Sequence, residues 1–214
     1  MVSETMVQKA KELLEQLYEY CDKIDETPMG LKYQNKGLTL RQSLFLDISN
    51  YLMYLSASDG TVSLSEAKFL GDLLGYSISP DEIISLIREH NIYSTKFENT
   101  VPLTLQCIIK VDKILQKKVA GFDIESSASA IFTSFFNALG KAFILCDQNI
   151  NENERRDFLI YKDTLVSYVR KELSGGIQKS GATQNTLKSH YELLKKTTEC
   201  HPTILCEHSL QVCL

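Results

Sequence analysis

Asp59-Gly60-Thr61-Val62-Ser63-Leu64-Ser65-Glu66 is matched, eighty-eight positions later, by Asp147-Gln148-Asn149-Ile150-Asn151-Glu152-Asn153-Glu154. The shared frame is an Asp, an aliphatic residue at plus three, a small polar residue at plus four and a Glu at plus seven. Each copy follows a long apolar stretch, 44–57 and 132–145, and opens a further helical segment, 66–74 and 154–165. The pattern reads as a duplicated helix-turn-helix with carboxylates at its corners.

Working outward, the flanking segments carry helical periodicity. Met6, Ala10, Leu13, Leu14, Leu17, Cys21 and Ile24 recur at steps of three and four, which predicts an amphipathic helix over 4–25. Thr27-Pro28-Met29-Gly30 reads as its stop, with a polar loop running to Gly37. Leu44, Ile48, Tyr51, Leu52 and Leu55 line a helix from about Thr39 to about Ser58, and Gly60 suits its end. Ser63 with Glu66 forms a capping-box pattern, and Ser79-Pro80-Asp81-Glu82 is a second helix start. A helix from Pro102 to Lys118 follows, and then a strongly apolar one through Phe132, Phe135, Phe136, Leu139 and Phe143. No sustained alternation marks a strand. The expected fold is all-α, a compact bundle of about seven to nine helices with an internal duplication.

The expected organisation is an N-terminal helix and loop over 1–37, a helical domain over 38–173 and a joint, short helix and tail over 174–214. The repeat halves fall at about 40–91 and 125–173. A net charge of −4 gives no basic footprint for nucleic acid. No apolar run approaches the roughly 18 residues of a membrane span. The start of the chain has neither a basic region nor an apolar one of the signal-peptide kind, so a cytoplasmic location is expected. The six cysteines form no CxxC pair and are expected to be reduced, with Cys21, Cys107 and Cys146 acting as small apolar residues within helices.

Two readings of the corner stand side by side. Asp59 and Asp147 fall near the C-terminal ends of helices, where a carboxylate is disfavoured by some tenths of a kcal/mol. Glu66 and Glu154 fall in first turns, where negative charge is favoured. Folded together, such oxygens suit a hard cation, Ca²⁺ or Mg²⁺. Equally, Ser63/Glu66 and Asn151/Glu154 are capping pairs worth roughly 1 kcal/mol each, with no metal required. A regular EF-hand is excluded. Counting from Asp147, position six is Glu152 and position twelve is Phe158, where Gly and a bidentate Glu are needed.

Asp59, Gly60, Val62, Ser63 and Glu66 after an apolar helix, with a second Asp-to-Glu corner, resemble the TerB-like tellurite-resistance family. The resemblance covers roughly 40–172, and Gln148 departs from it where the second copy would carry glycine. It implies a helical bundle whose acidic corners bind divalent cations and a role in tellurite or other stress responses. Carried over by position, it implies Asp59, Glu66, Asp147 and Glu154 as ligands, with Glu152 an added oxygen donor beside the second corner.

The remaining constellations carry little chemistry. None of the four histidines joins a nucleophile motif. Gly176-Ile177-Gln178-Lys179-Ser180 lacks the glycine a phosphate-binding loop needs before its lysine. Cys200, His201, Cys206, His208 and Cys213 are soft ligands without a zinc spacing. The chain is therefore not expected to be an enzyme. The alternative function is a metal-free scaffold that binds a partner protein through the N-terminal helix or the C-terminal segment.

Overall fold

The computed structural model describes residues 2–33, 37–75, 77–92, 97–146 and 151–174. Among these there are eight α-helices, two short 3₁₀ turns and no strand, so the chain is all-α as expected. In chain order the helices are α1 (Val2–Asp25), α2 (Pro28–Tyr33), α3 (Leu40–Ser56), α4 (Leu64–Leu74), α5 (Pro80–Glu89), α6 (Leu103–Lys118), α7 (Ala128–Ile144) and α8 (Glu152–Ser174). The linker and Cys/His-containing tail read from the sequence lie outside the described residues.

Local chemistry sets most of the boundaries. Thr39, Ser63 and Ser79 are N-caps of α3, α4 and α5, each completing a capping box with Gln42, Glu66 and Glu82. One boundary differs from the sequence reading. The stretch expected to be loop after Ile24 forms α2, because Thr27-Pro28 starts a helix as well as ending one. The Thr27 hydroxyl donates to the Ile24 carbonyl at 2.6 Å and accepts from the Gly30 amide at 3.2 Å, so one side chain closes α1 and caps α2.

The duplication extends well beyond the corner. α3 and α7 are both seventeen residues long, and both their ends are eighty-eight positions apart. Their N-caps, Thr39 and Ser127, keep that offset, as do the starts of α4 and α8 at Leu64 and Glu152. Each long helix is also capped from a different helix. Asp25 at the end of α1 accepts the Leu40 amide at 2.8 Å and the Arg41 amide at 3.3 Å. Asp112 of α6 accepts the Ser129 amide at 2.9 Å and the Ser129 hydroxyl at 2.6 Å. The structural repeat is therefore a capping helix followed by a long helix, a corner and a further helix.

α7 is the centre of the bundle, with α1, α6, α8 and α3 all packed on it and α1 making the largest contact. That explains its apolar sequence: Phe132, Phe135, Phe136, Leu139, Ala142 and Phe143 are all buried. Ala10, Leu14, Leu17, Cys21 and Ile24 of α1 belong to the same core, so α1 is part of the bundle rather than an appendage. Cys21 and Cys107 are buried free thiols, which fits their reading as small apolar residues, while Cys146 is partly buried just past α7.

An aromatic cluster joins the halves. The Tyr51 ring lies 5.1 Å from Phe136 and 5.0 Å from Tyr161. Phe97 stacks on Tyr54 at 4.6 Å and on Tyr161 at 5.3 Å. Gly140 makes this approach possible, since a Cβ there would lie 2.2 Å from the Tyr51 hydroxyl and 2.6 Å from the Phe158 ring. Gly140→Ala is expected to overpack this junction and cost about 1–3 kcal/mol, read as a lower urea midpoint. An unchanged midpoint would show that the cluster yields freely.

Candidate functional site

The first corner begins where α3 ends. The Ser58 amide bonds the Leu55 carbonyl at 3.0 Å, and the Gly60 amide bonds Ala57 at 3.2 Å. Gly60 then takes φ +79°, a left-handed conformation that favours glycine at this position. Asp59 therefore stands three residues past Ser56, and its carboxylate turns forward. Oδ1 accepts both the amide and the hydroxyl of Thr61 at 2.9 Å. The helix-end penalty expected from the sequence is correspondingly small, because that field fades within the last turn.

Glu66 sits in the first turn of α4 and is buried at 3% exposure. Its Oε2 accepts the Ser63 amide at 2.6 Å, and Ser63 Oγ accepts the Glu66 amide at 3.1 Å. Glu154 occupies the corresponding turn of α8 and is buried at 4% exposure. Asn151 caps α8, as expected, through the Asn153 amide at 2.8 Å. Its backbone carbonyl accepts from Arg155 at 3.0 Å.

The two corners meet. Asn151 Nδ2 donates to Asp59 Oδ2 at 3.0 Å across ninety-two positions of sequence. The sequence reading folded each corner on itself and gave Asn151 only a capping role. In the structure one amide caps α8 with its oxygen and holds the first corner with its nitrogen. Nothing in either copy read alone signals this contact, because it depends on how the halves pack.

The other candidates differ in their settings. Glu152 has a side chain 84% exposed and pairs with Arg155 at 3.7 Å, on the outer side of α8. Asp147 lies outside the described residues. Asp157, which the sequence reading did not single out, is buried at 6% exposure and pairs with Arg156 at 2.9 Å. It shares a helix face with Glu154 three residues earlier. Burial pushes the nearby Tyr54 phenol above its ordinary range, and the charges of Asp157 and Glu98 add to the effect.

The corner thus combines oxygen donors of the type hard cations take with first-turn positions that stabilise carboxylates unaided. Asp59 Oδ2 accepts one hydrogen bond, and a carboxylate oxygen has room for a second interaction. Among the described residues, no three His, Cys, Asp or Glu side chains are grouped closely enough to hold a metal ion. No family model, curated protein or solved structure matches this chain.

The Asp59–Asn151 bond makes a direct prediction. In a cycle of Asp59→Ala, Asn151→Ala and the double variant, the pair should show a coupling of about 1 kcal/mol in unfolding free energy. Strict additivity of the single changes would mean that the corners are energetically independent.

Proposed function

We propose that this chain is a cytoplasmic helical protein of the TerB-like kind that binds a divalent cation, Ca²⁺ or Mg²⁺, at its joined acidic corners. Its role on this reading is in tellurite or another stress response. The observation that carries the reading is the Asn151–Asp59 contact, which puts the first-copy aspartate beside the start of the second-copy helix. Asp59, Glu66, Asp147 and Glu154 are the proposed ligand set, and Glu152 is the weakest member because it faces outward toward Arg155. A bound ion would supply positive charge beside Asp59, where the two corners meet. The chain's own contribution would be to position Asp59 through Thr61 and Asn151 before the ion arrives.

A second reading has its own support. Asp59, Ser63, Glu66 and Asn151 already serve each other or the backbone, which is what a metal-free scaffold requires of its corner. On this reading a partner protein binds the outer face of α1 or the segment after residue 174. The inner face of α1 is committed to the core, so deleting that helix would unfold the bundle rather than test binding. No helix among the described residues is long and apolar enough to cross a membrane.

Thermal melts with Ca²⁺, Mg²⁺, Mn²⁺ and chelator separate the two. Cation binding predicts stabilisation of about 2.7 kcal/mol at a hundredfold excess over Kd, lost in Asp59→Ala combined with Asp147→Ala. A midpoint indifferent to every ion would remove the cation reading and leave the scaffold.

A further inference from the structure

The net charge of −4 conceals an uneven distribution. The second half of α6 carries Lys110, Lys113, Lys117 and Lys118, a spacing that lines them along one outward stripe. Lys110, Lys117 and Lys118 are exposed, and Ile114 stands among them at 41% exposure. α2 and α8 meet this stripe. Lys110 Nζ lies 4.5 Å from the centre of the Tyr33 ring of α2, and Tyr168 of α8 is within reach of its charge. Lys113 pairs with Glu172 of α8, and Gln116 Nε2 donates to the Leu173 carbonyl at 3.2 Å. Beside these contacts stand Lys32, next to Tyr33, and Lys171, next to Glu172, both exposed. Leu31, on the outer side of α2, is 63% exposed.

Acidic residues are nearly missing from the same elements. α2 has none, and the one acid of α6 is Asp112, buried and engaged with Ser129. α8 beyond Asp163 has only Glu172. Among the described residues, Lys113 is the one lysine of this face held in an ion pair.

We propose that the α2–α6–α8 face docks on an anionic lipid surface, its lysines against the headgroups and Ile114 and Leu31 at the edge of the acyl region. Charge complementarity requires an anionic partner, and three features select a lipid surface. The α6 lysines are strung along about 12 Å of helix and do not converge, which matches a sheet of charge and no single small anion. The basic groups named are all lysine. Lysine is a flexible, strongly hydrated point charge, whereas arginine's planar fork is the group suited to paired recognition of a phosphate or carboxylate. Aliphatic side chains exposed among the lysines gain nothing against a nucleic-acid backbone but are buried at a membrane interface. Such attachment needs no spanning helix, and it is independent of any ion at the acidic corners.

Sedimentation of the full chain with lipid vesicles tests this, in chelator so that no divalent ion bridges protein and lipid. Phosphatidylcholine vesicles containing phosphatidylserine should bind the chain at about 0.05 M salt and release it at about 0.5 M, where screening is short-ranged. Vesicles of phosphatidylcholine alone should not bind it. Lys110→Gln combined with Lys117→Gln should lower the partition coefficient about twentyfold, roughly fivefold for each lysine at the surface. Lys9→Gln combined with Lys11→Gln makes the same charge change at exposed positions of α1 and should leave the partition unaltered. All four substitutions replace exposed side chains, and an unchanged melting midpoint confirms that the fold is intact. Absence of binding to the mixed vesicles, equal binding to neutral ones, or an equal fall in both double variants would overturn the proposal. Capture by poly-glutamate of a chain that ignores vesicles would also overturn it, and would give the face to an acidic protein.

Discussion

The constraint on which this bundle depends is that its central helix, α7, begins where water cannot reach it. The first amides of an α-helix have no partner within the helix, and leaving them buried costs about 1–3 kcal/mol apiece. At α7 the problem is acute, because Ser127, Ala128 and Ser129 are all buried. Ser127 can satisfy one amide, and Asp112 reaches across from α6 for another. At α3, Thr39 and Asp25 divide the same work. Each cross-helix carboxylate fixes the helix that carries it relative to the helix it caps. The caps thereby specify tertiary arrangement as well as helix start.

That device repeats with the chain, and its repetition explains the architecture better than the corner does. A capping helix, a long apolar helix and a turn into a third helix occur twice, and the long helix has seventeen residues in both copies. The second copy then diverges according to its position. α7 lies under four neighbours and is lined with phenylalanine, whereas α3 mixes leucine, isoleucine and tyrosine. Gly140 stands where the first copy has Leu52 because Tyr51 and Phe158 need the space. Small local departures from symmetry thus follow from α7 being central.

What could be read in the sequence was whatever is local. The capping boxes at Ser63 and Ser79 span three residues, and the apolar faces repeat every three or four, so both are visible in a short window. α2 was missed because Thr27-Pro28 serves as stop and start together. The cross-helix contacts were not legible. Asp25 meets Leu40 fifteen residues on, Asp112 meets Ser129 after seventeen, and Asn151 meets Asp59 after ninety-two. In sequence Asp25 and Asp112 are each one polar residue among many, and the repeated corner marks Asp59 without showing its partner. Only packing distinguishes Asp112 in its buried place from Asp163 on an exposed face.

The same physics bears on how the acidic corner should be weighed. In this protein a buried carboxylate is the ordinary solution to a buried helix start, so burial of Glu66 and Glu154 in first turns does not by itself call for a metal. Asp59 is different in kind. It caps no helix and is held by a two-residue turn on one side and by the opposite corner on the other. A residue engaged from two directions, away from any helix start, is positioned rather than merely tolerated. The cation reading therefore rests on Asp59 and its link to Asn151, while the glutamates behind it would be present in a scaffold as well.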